Sequence, residues 1–350
     1  MRKGQQMIGT RLLKGQGLGN ALFCYVTTRC LAKRQQTDFA ILGKEVLEGI
    51  AGKNNGLYFM NLDFGMPAKE EEFTRVYHER EDRLFLGNSR HDCRIGCYVT
   101  GADPKLMEVE EGTLVYGNMQ AEEYLLPYRE EIKQWLQVKP EYDSNEYTRD
   151  NLCVINIRGG EYRGSPELFL GRRYWLKGMA HMRSLRPDME FMVITDDVEA
   201  AEKVLPEVPA YHFALDKDYV TIKNARYLLL SNSSFAFFPA LTSETVREII
   251  APKYWARHNV SNGYWASEQN IYSGWKYMDR RGRLYTAGEC RQELEKYKKT
   301  SQSYRRLNRK PEGVTAGLMK LESELLYRAS WIRRMAGALK RRIKGRLNKG

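Results

Sequence analysis

Arg158-Gly159-Gly160 stands directly after the strongest apolar run of the sequence, Leu152 to Ile157. If that run is a buried strand, Arg158 emerges at its carboxyl end, where ligands of α/β sheets bind. Its planar fork of donors suits a phosphate, and the two glycines let the backbone turn away without steric cost. A surface ion pair is the plainer use of the same arginine, and Glu161 is the nearest carboxylate. Thr195-Asp196-Asp197 closes the run Phe191 to Ile194, so its side chains should emerge on the same edge. A carboxylate there can accept paired N–H bonds from a base, bind ribose, or cap the following helix. Ser231-Asn232-Ser233-Ser234-Phe235 ends a further apolar run, where hydroxyls and amides at a helix start make either a phosphate cradle or a capped helix. Gly15-Gln16-Gly17-Leu18-Gly19-Asn20 is a glycine-rich turn that lets a backbone approach a ligand closely, or simply a tight β-α turn. Asp216-Lys217-Asp218 is a D-x-D that could hold a divalent ion bridging phosphates.

The elements that must position these residues read as strand and helix in alternation. Met7 to Leu13 predicts a strand, Leu18 to Lys33 a helix and Phe39 to Leu42 a second strand. Residues 43 to 112 read as loop-rich, with only Tyr58-Phe59-Met60 and Leu84-Phe85-Leu86 as short apolar runs. Thr113 to Tyr116 predicts a strand, Ala121 to Leu136 an amphipathic helix, and Lys139 to Asp150 a polar linker. Beyond it, strands are expected at Leu152 to Ile157, Phe191 to Ile194, Tyr211 to Leu215 and Arg247 to Ala251. Helices are expected at Trp175 to Leu185 and Glu199 to Leu205, with Tyr219 to Leu230 mostly helical. Continuous apolar strands between helices mean parallel sheets covered on both faces. The fold class is α/β, with two Rossmann-like domains facing a cleft, over residues 1–140 and 150–300, and a basic helical tail over 303–350.

Of 350 residues, 42% are apolar and 11% aromatic, enough for real cores. The net charge of +12 would suggest a nucleic-acid groove if it were spread over the chain. Residues 301 to 350 alone carry 14 Lys and Arg against Glu312, Glu322 and Glu324, an excess of 11, so the body is nearly neutral. That removes most of the case for a basic groove wrapping DNA or RNA, so no nucleic-acid partner is expected, and a nucleic-acid binder using the basic tail is the third reading. Without a run of eighteen apolar residues or a signal-peptide pattern, the expected location is the cytoplasm. The six cysteines are expected as reduced thiols, and Cys93 and Cys97, in C-x3-C spacing, lack the second pair that a structural zinc site would show.

In order, these segments resemble glycosyltransferase family 11, the α-1,2-fucosyltransferases, over residues 7 to 260. The family's G-L-G-N-Q-x-F-Q-Y is similar to Gly17-Leu18-Gly19-Asn20-Ala21-Leu22-Phe23-Cys24-Tyr25. Its H-x-R-R-G-D-Y is similar to Asn156 through Tyr162, its F-x-x-F-S-D-D to Phe191 through Asp197, and its N-S-S-F-S-W-W-G-A to Asn232 through Ala240. Gly117 through Tyr124 resembles its G-Y-x-Q-S-E-x-Y. Asn156 replaces the family's His, Gly159 its second Arg, Glu161 its Asp, and Phe237-Phe238-Pro239 its Trp-Trp-Gly.

The resemblance implies a GT-B-like fold and an inverting transfer, without metal or other cofactor, of fucose from GDP-fucose to a glycan hydroxyl in surface polysaccharide synthesis. Arg158 would bind the diphosphate and stabilise it as it departs, with Glu161 as candidate general base. Gly17, Gly19, Asn20, Asn156, Asp196, Asn232, Ser233, Ser234 and Phe235 would complete the donor site. Another nucleotide sugar, or a non-catalytic sugar-nucleotide or glycan binder, is the alternative. In the tail, Leu318, Leu321, Leu325, Ile332, Met335, Leu339, Ile343 and Leu347 recur at helical spacing opposite a basic face. Such a helix can lie on an anionic membrane surface, which would place the chain on the inner face beside lipid-linked acceptors.

Overall fold

The computed structural model describes residues 7–47, 58–85, 96–164, 168–253, 268–301 and 304–321, and residues 324, 325, 328, 332 and 335 of the tail. The described residues form two compact units. The larger holds residues up to 80, 101–253 and 268–294; the smaller gathers 81–100 and the chain from 295 onward.

Two parallel sheets lie within the larger unit. The first contains β1 (Met7–Arg11), β2 (Asp38–Leu42), β3 (Arg75–His78) and β6 (Thr113–Tyr116), in the order β2-β1-β6-β3. The second has seven strands, β7 (Leu152–Ile157), β8 (Glu190–Thr195), β9 (Ala210–Tyr211), β10 (Tyr227–Leu230), β11 (Glu248–Pro252), β12 (Lys276–Met278) and β13 (Leu284–Thr286). Its order is β13-β12-β11-β10-β7-β8-β9, parallel throughout except for the β12–β13 hairpin. The smaller unit holds the pair β4 (Arg83–Leu84) and β5 (Cys97–Tyr98). The α/β class and the parallel sheets are as expected. The expected boundary near residues 140–150 is a change of sheet inside one unit, and the polar segment there is stitched down. Asp143 pairs with Lys223, Glu146 with Lys217, and Asp150 with Arg226 and Arg247.

One core serves both sheets. Helix α1 (Leu18–Arg34) follows β1 and is apolar nearly all round, so it is buried on both sides. One face covers its own sheet; the other meets the short helix α6 (Phe237–Leu241), with Phe23 stacked on Phe237 at 4.7 Å between ring centroids. A second cluster, centred on Trp175 and Met182 of α3 (Arg172–Leu185), covers the opposite face of the seven-stranded sheet.

Four expectations are corrected. Tyr219 to Leu230 is not mostly helix: α5 (Leu215–Lys223) stops, and Tyr227–Leu230 is a central strand between β7 and β11. A four-residue apolar run buried on both faces has no periodicity that separates strand from helix. Tyr211 to Leu215 is strand only at Tyr211, because the Asp218 carboxylate accepts the Phe213 N–H at 2.9 Å and turns the chain into α5. Ala121 to Leu136 is two 3-10 turns and then α2 (Arg129–Trp135), since Pro127 lacks the N–H that a continuous helix needs. Finally, the loop-rich region contributes β3, an edge strand whose outward side chains leave no apolar run to read.

Lys253, directly after β11, is buried, with its ammonium 2.5 Å from Glu293 of α7 (Ala287–Thr300) and over the Tyr285 ring. Because Glu293 is partly solvated and Lys253 is not, the two partners are unequal. Removing the acid takes an anionic partner from a buried cation; replacing the lysine by an apolar side chain of similar length leaves no charge behind in the interior. Thermal melts of Glu293→Ala should show a loss of about 2 kcal/mol, and Lys253→Met less than half of that. The reverse order would show that Lys253 keeps its charge hydrated.

The buried thiols are inert. Burial pushes Cys24 and Cys290 up to about 12, and raises Cys30 and Cys153 as well. Cys97 is a buried free thiol; Cys93 lies outside the described residues.

Candidate functional site

The carboxyl edge of the seven-stranded sheet collects most of the expected residues, because β10, β7 and β8 lie side by side and run in one direction. Their register pairs Leu230 with Asn156 and Ile157 with Thr195. Ser231, Arg158 and Asp196 therefore leave the sheet at one level. Arg158 Nη1 lies 2.6 Å from Asp196 Oδ2, and Nη2 lies 3.2 Å from Glu161 Oε1. The Gly159 N–H donates to Asp196 Oδ1 at 2.8 Å. A Cβ on Gly159 would come within 2.4 Å of the Asp197 Cβ, which is why this turn takes glycine. Gly160 has φ +31° and faces Asp196 in the same way.

Asp197 caps α4 (Val198–Val204), its Oδ1 accepting the Ala200 N–H at 2.9 Å. Asp196, in contrast, serves the arginine turn, and its side chain remains partly exposed beside Arg158. Burial pushes the phenol of Tyr162, whose ring lies 5.8 Å from the Arg158 guanidinium, up to about 12.

The Ser231–Phe235 loop follows β10. Ser233 Oγ accepts the Phe235 N–H at 3.3 Å and opens a 3-10 turn; Asn232 Nδ2 donates to the Leu168 carbonyl at 3.2 Å. The glycine turn of the first sheet meets this loop. A Cβ on Gly19 would lie 2.4 Å from the Ser234 carbonyl carbon and 2.6 Å from the Phe235 nitrogen. Because Gly19 follows β1 and Ser234 follows β10, the carboxyl edges of the two sheets converge there. Gly17, the residue before α1, offers no side-chain cap, so the first amides of the helix are left for other acceptors.

Asn20 Oδ1 accepts from Gln120 Nε2 at 2.9 Å, which ties the glycine turn to the Gly117–Tyr124 segment. Buried Glu79 holds that segment, accepting the Met119 N–H at 2.8 Å and the Tyr124 hydroxyl at 2.9 Å. Burial raises Glu79 above the usual carboxylate range, and these two donors pull it back. Glu122 holds the other side, accepting from the Ser273 N–H and pairing with Arg291. Sequence reasoning missed Glu79 and Arg291, since isolated charges in irregular or unread segments carry no pattern.

Two of the segments singled out in the sequence have local partners in the fold. Asn156 is buried: its Nδ2 donates to the Ile194 carbonyl at 3.3 Å, and its Oδ1 accepts from Ser231 Oγ at 3.2 Å. It pins the edge from inside the sheet. In the D-x-D, Asp216 accepts the Tyr58 hydroxyl at 2.5 Å, and Asp218 is buried against His212 and the Phe213 N–H, so the two carboxylates serve different partners. Among the described residues no group of three or more His, Cys, Asp or Glu could hold a metal ion.

What this edge offers is a planar cation, two half-buried hydroxyls and uncapped amides around the meeting point of two sheets. Such a set suits an anionic, phosphate-like group.

No family model matches the chain. It is similar to an alpha-1,2-colitosyltransferase of Escherichia coli, 23% identical over 167 residues, which is 42% of this chain and 58% of that protein. The chain thus matches little more than half the length of that relative. Among solved structures, NodZ alpha-1,6-fucosyltransferase soaked with GDP-fucose aligns with a TM-score of 0.40 and 13% identity, covering 73% of this chain and 97% of that one. NodZ from Bradyrhizobium aligns with a TM-score of 0.37 and 14% identity, over 71% and 94% of the two chains.

Proposed function

We propose that this chain is an inverting glycosyltransferase that moves fucose, or a related sugar, from a GDP donor to a glycan hydroxyl. The observation that carries the reading is Arg158 at the carboxyl end of β7, on one edge with Asp196 and the Ser231–Phe235 loop, where the glycine turn of the other sheet also arrives. The similarity to a colitosyltransferase supports the same class.

In the reaction, negative charge accumulates on the departing diphosphate as the sugar takes on oxocarbenium character. Arg158 would meet that charge together with Ser233, Ser234 and nearby amides, a stabilisation that grows as the bond breaks. In an inverting displacement the group that takes the acceptor's proton stands across the sugar from the leaving group. Glu161 lies 3.2 Å from the guanidinium assigned to the leaving group, which weighs against it as the general base. We therefore expect Glu161→Gln to keep kcat within about threefold, well short of the 10²-fold or larger loss of a true base. A kcat loss of that larger size, with the acidic limb of the pH profile removed, would restore Glu161 to the base role.

The donor is tested by calorimetric titration with GDP, GDP-fucose, UDP and CMP, followed by turnover against an acceptor panel. Preference for GDP and its sugars is the expected result, and preference for UDP or CMP would overturn the reading. Donor binding without turnover on any acceptor would favour the non-catalytic alternative.

The tail belongs to the same proposal as an anchor to anionic lipid. Residues 313–321 are helical, and Val314, Leu318, Leu321, Leu325, Ile332 and Met335 are all more than half exposed; Leu339, Ile343 and Leu347 lie outside the described residues. An apolar row within a segment of excess charge +11 fits the interface of an anionic bilayer. Among the described residues no helix is long and apolar enough to cross a membrane. Co-sedimentation with vesicles containing phosphatidylglycerol, abolished by Leu321→Glu with Leu325→Glu, is the expected outcome. Equal binding to neutral vesicles, or none to either, would remove the anchor.

A further inference from the structure

Three aromatic rings are stacked at the β9 margin of the seven-stranded sheet, and nothing in the assignment above uses them. Tyr211, at the end of β9, is parallel to Phe213, with centroids 5.3 Å apart and planes within 15°. Phe213 is parallel in turn to Tyr147, at 5.9 Å and 16°. The Lys217 ammonium lies 4.6 Å from the Phe213 centroid and 5.3 Å from that of Tyr147, which fixes the inner two rings by cation–π attraction. The outermost ring belongs to Tyr211, which is 39% exposed. A short strand at the sheet margin thus ends in a ladder of planes whose last member is open.

Its place along the edge gives it a use. The strand order β10-β7-β8-β9 sets, in sequence, the Ser231–Phe235 loop, Arg158, Asp196 and Tyr211 across the carboxyl side of the sheet, and Tyr211 is in register with Ile194, two residues before Asp196. Adjacent strands are about 4.8 Å apart and β9 lies two strands from β7, so the two backbones are separated by roughly 10 Å, the reach from the base of a nucleotide to its diphosphate. Resting on the donor reading above, we infer that Tyr211 is a specificity-determining residue that stacks the heteroaromatic base of the nucleotide donor, as a fourth plane on the Tyr211-Phe213-Tyr147 ladder. The base lies at the β9 end, the diphosphate at Arg158, and the sugar beyond it toward the Ser231–Phe235 loop. Stacking tolerates any planar base, so this residue sets affinity for a nucleotide over a bare phosphate, and leaves the choice among bases to edge contacts.

The test is calorimetry with GDP as probe on the full chain. Tyr211→Ala should weaken GDP binding about tenfold, the loss of one base–aromatic stack, while Tyr211→Phe keeps wild-type affinity. Acceptor KM should not change. Unaltered GDP affinity in Tyr211→Ala, or a rise confined to acceptor KM, would overturn the inference. If the wild-type chain binds UDP or CMP instead of GDP, the GDP reading fails, and the same variant titrated with the nucleotide that binds decides the stack. If no nucleotide binds, both are refuted.

Discussion

Alanine at position 158 is expected to weaken GDP binding by about tenfold to a hundredfold, the range of one or two hydrogen bonds to a charged group. It should lower kcat by about 10²–10³, the scale seen when a donor to developing negative charge is removed. The two effects differ for a reason visible in the fold. The Arg158 fork is already occupied by Asp196 and Glu161, so a bound diphosphate gains only the difference between phosphate and carboxylate partners. The transition state, with more charge on the leaving group, gains in full. Arg158→Lys should recover part of the affinity and little of the turnover, since an ammonium cannot span two oxygens in one plane. Folding should survive, because Asp196 and Glu161 are both hydrated enough to stand without the guanidinium. Unchanged donor affinity and turnover in Arg158→Ala, with a normal melting curve, would remove the diphosphate from this edge.

The sequence was most legible where physical necessity left a periodic or local mark. Leu152–Ile157 is apolar at nearly every position because β7 is covered on both faces, and its boundaries were readable to the residue. Gly17 to Asn20, Arg158 and Ser233 stood out because turns at the ends of such strands need small or hydrogen-bonding residues. What stayed hidden depends on pairings between distant segments. Asn156 and Arg158 sit two positions apart in one motif, yet Asn156 lies within β7, where it meets Ser231, and Arg158 lies just past the end of the strand, so the first is inside the sheet and the second at its rim. Glu79 is a single acid in a region without pattern, and only the fold reveals that it accepts the Met119 N–H forty positions away. The aromatic ladder was illegible for the same reason. Tyr147 comes from a segment that reads as a polar linker, and it meets Phe213 only because that segment is stitched along α5.

Gly19→Ala is the second large effect, and Gly17→Ala is its control. A methyl group on Gly19 would overlap the Ser234 carbonyl carbon at 2.4 Å, its oxygen at 2.5 Å and the Phe235 nitrogen at 2.6 Å. All three are main-chain atoms, so no rotamer change relieves the contact; α1 and the Ser231–Phe235 loop must move apart. Overpacking of this kind destabilises by about 1–3 kcal/mol. Displacing the serine loop by about 1 Å relative to Arg158 is expected to lower turnover by about a hundredfold. Gly17, two residues earlier, has nothing within 4 Å of its added carbon, and its φ of −63° and ψ of 147° suit any residue. Gly17→Ala should therefore leave the melting temperature unchanged, and any loss it causes must appear in donor affinity alone. If Gly19→Ala melts and turns over like the wild type, the two sheets do not meet through this contact, and the convergence of their carboxyl edges, on which the site depends, is lost with it.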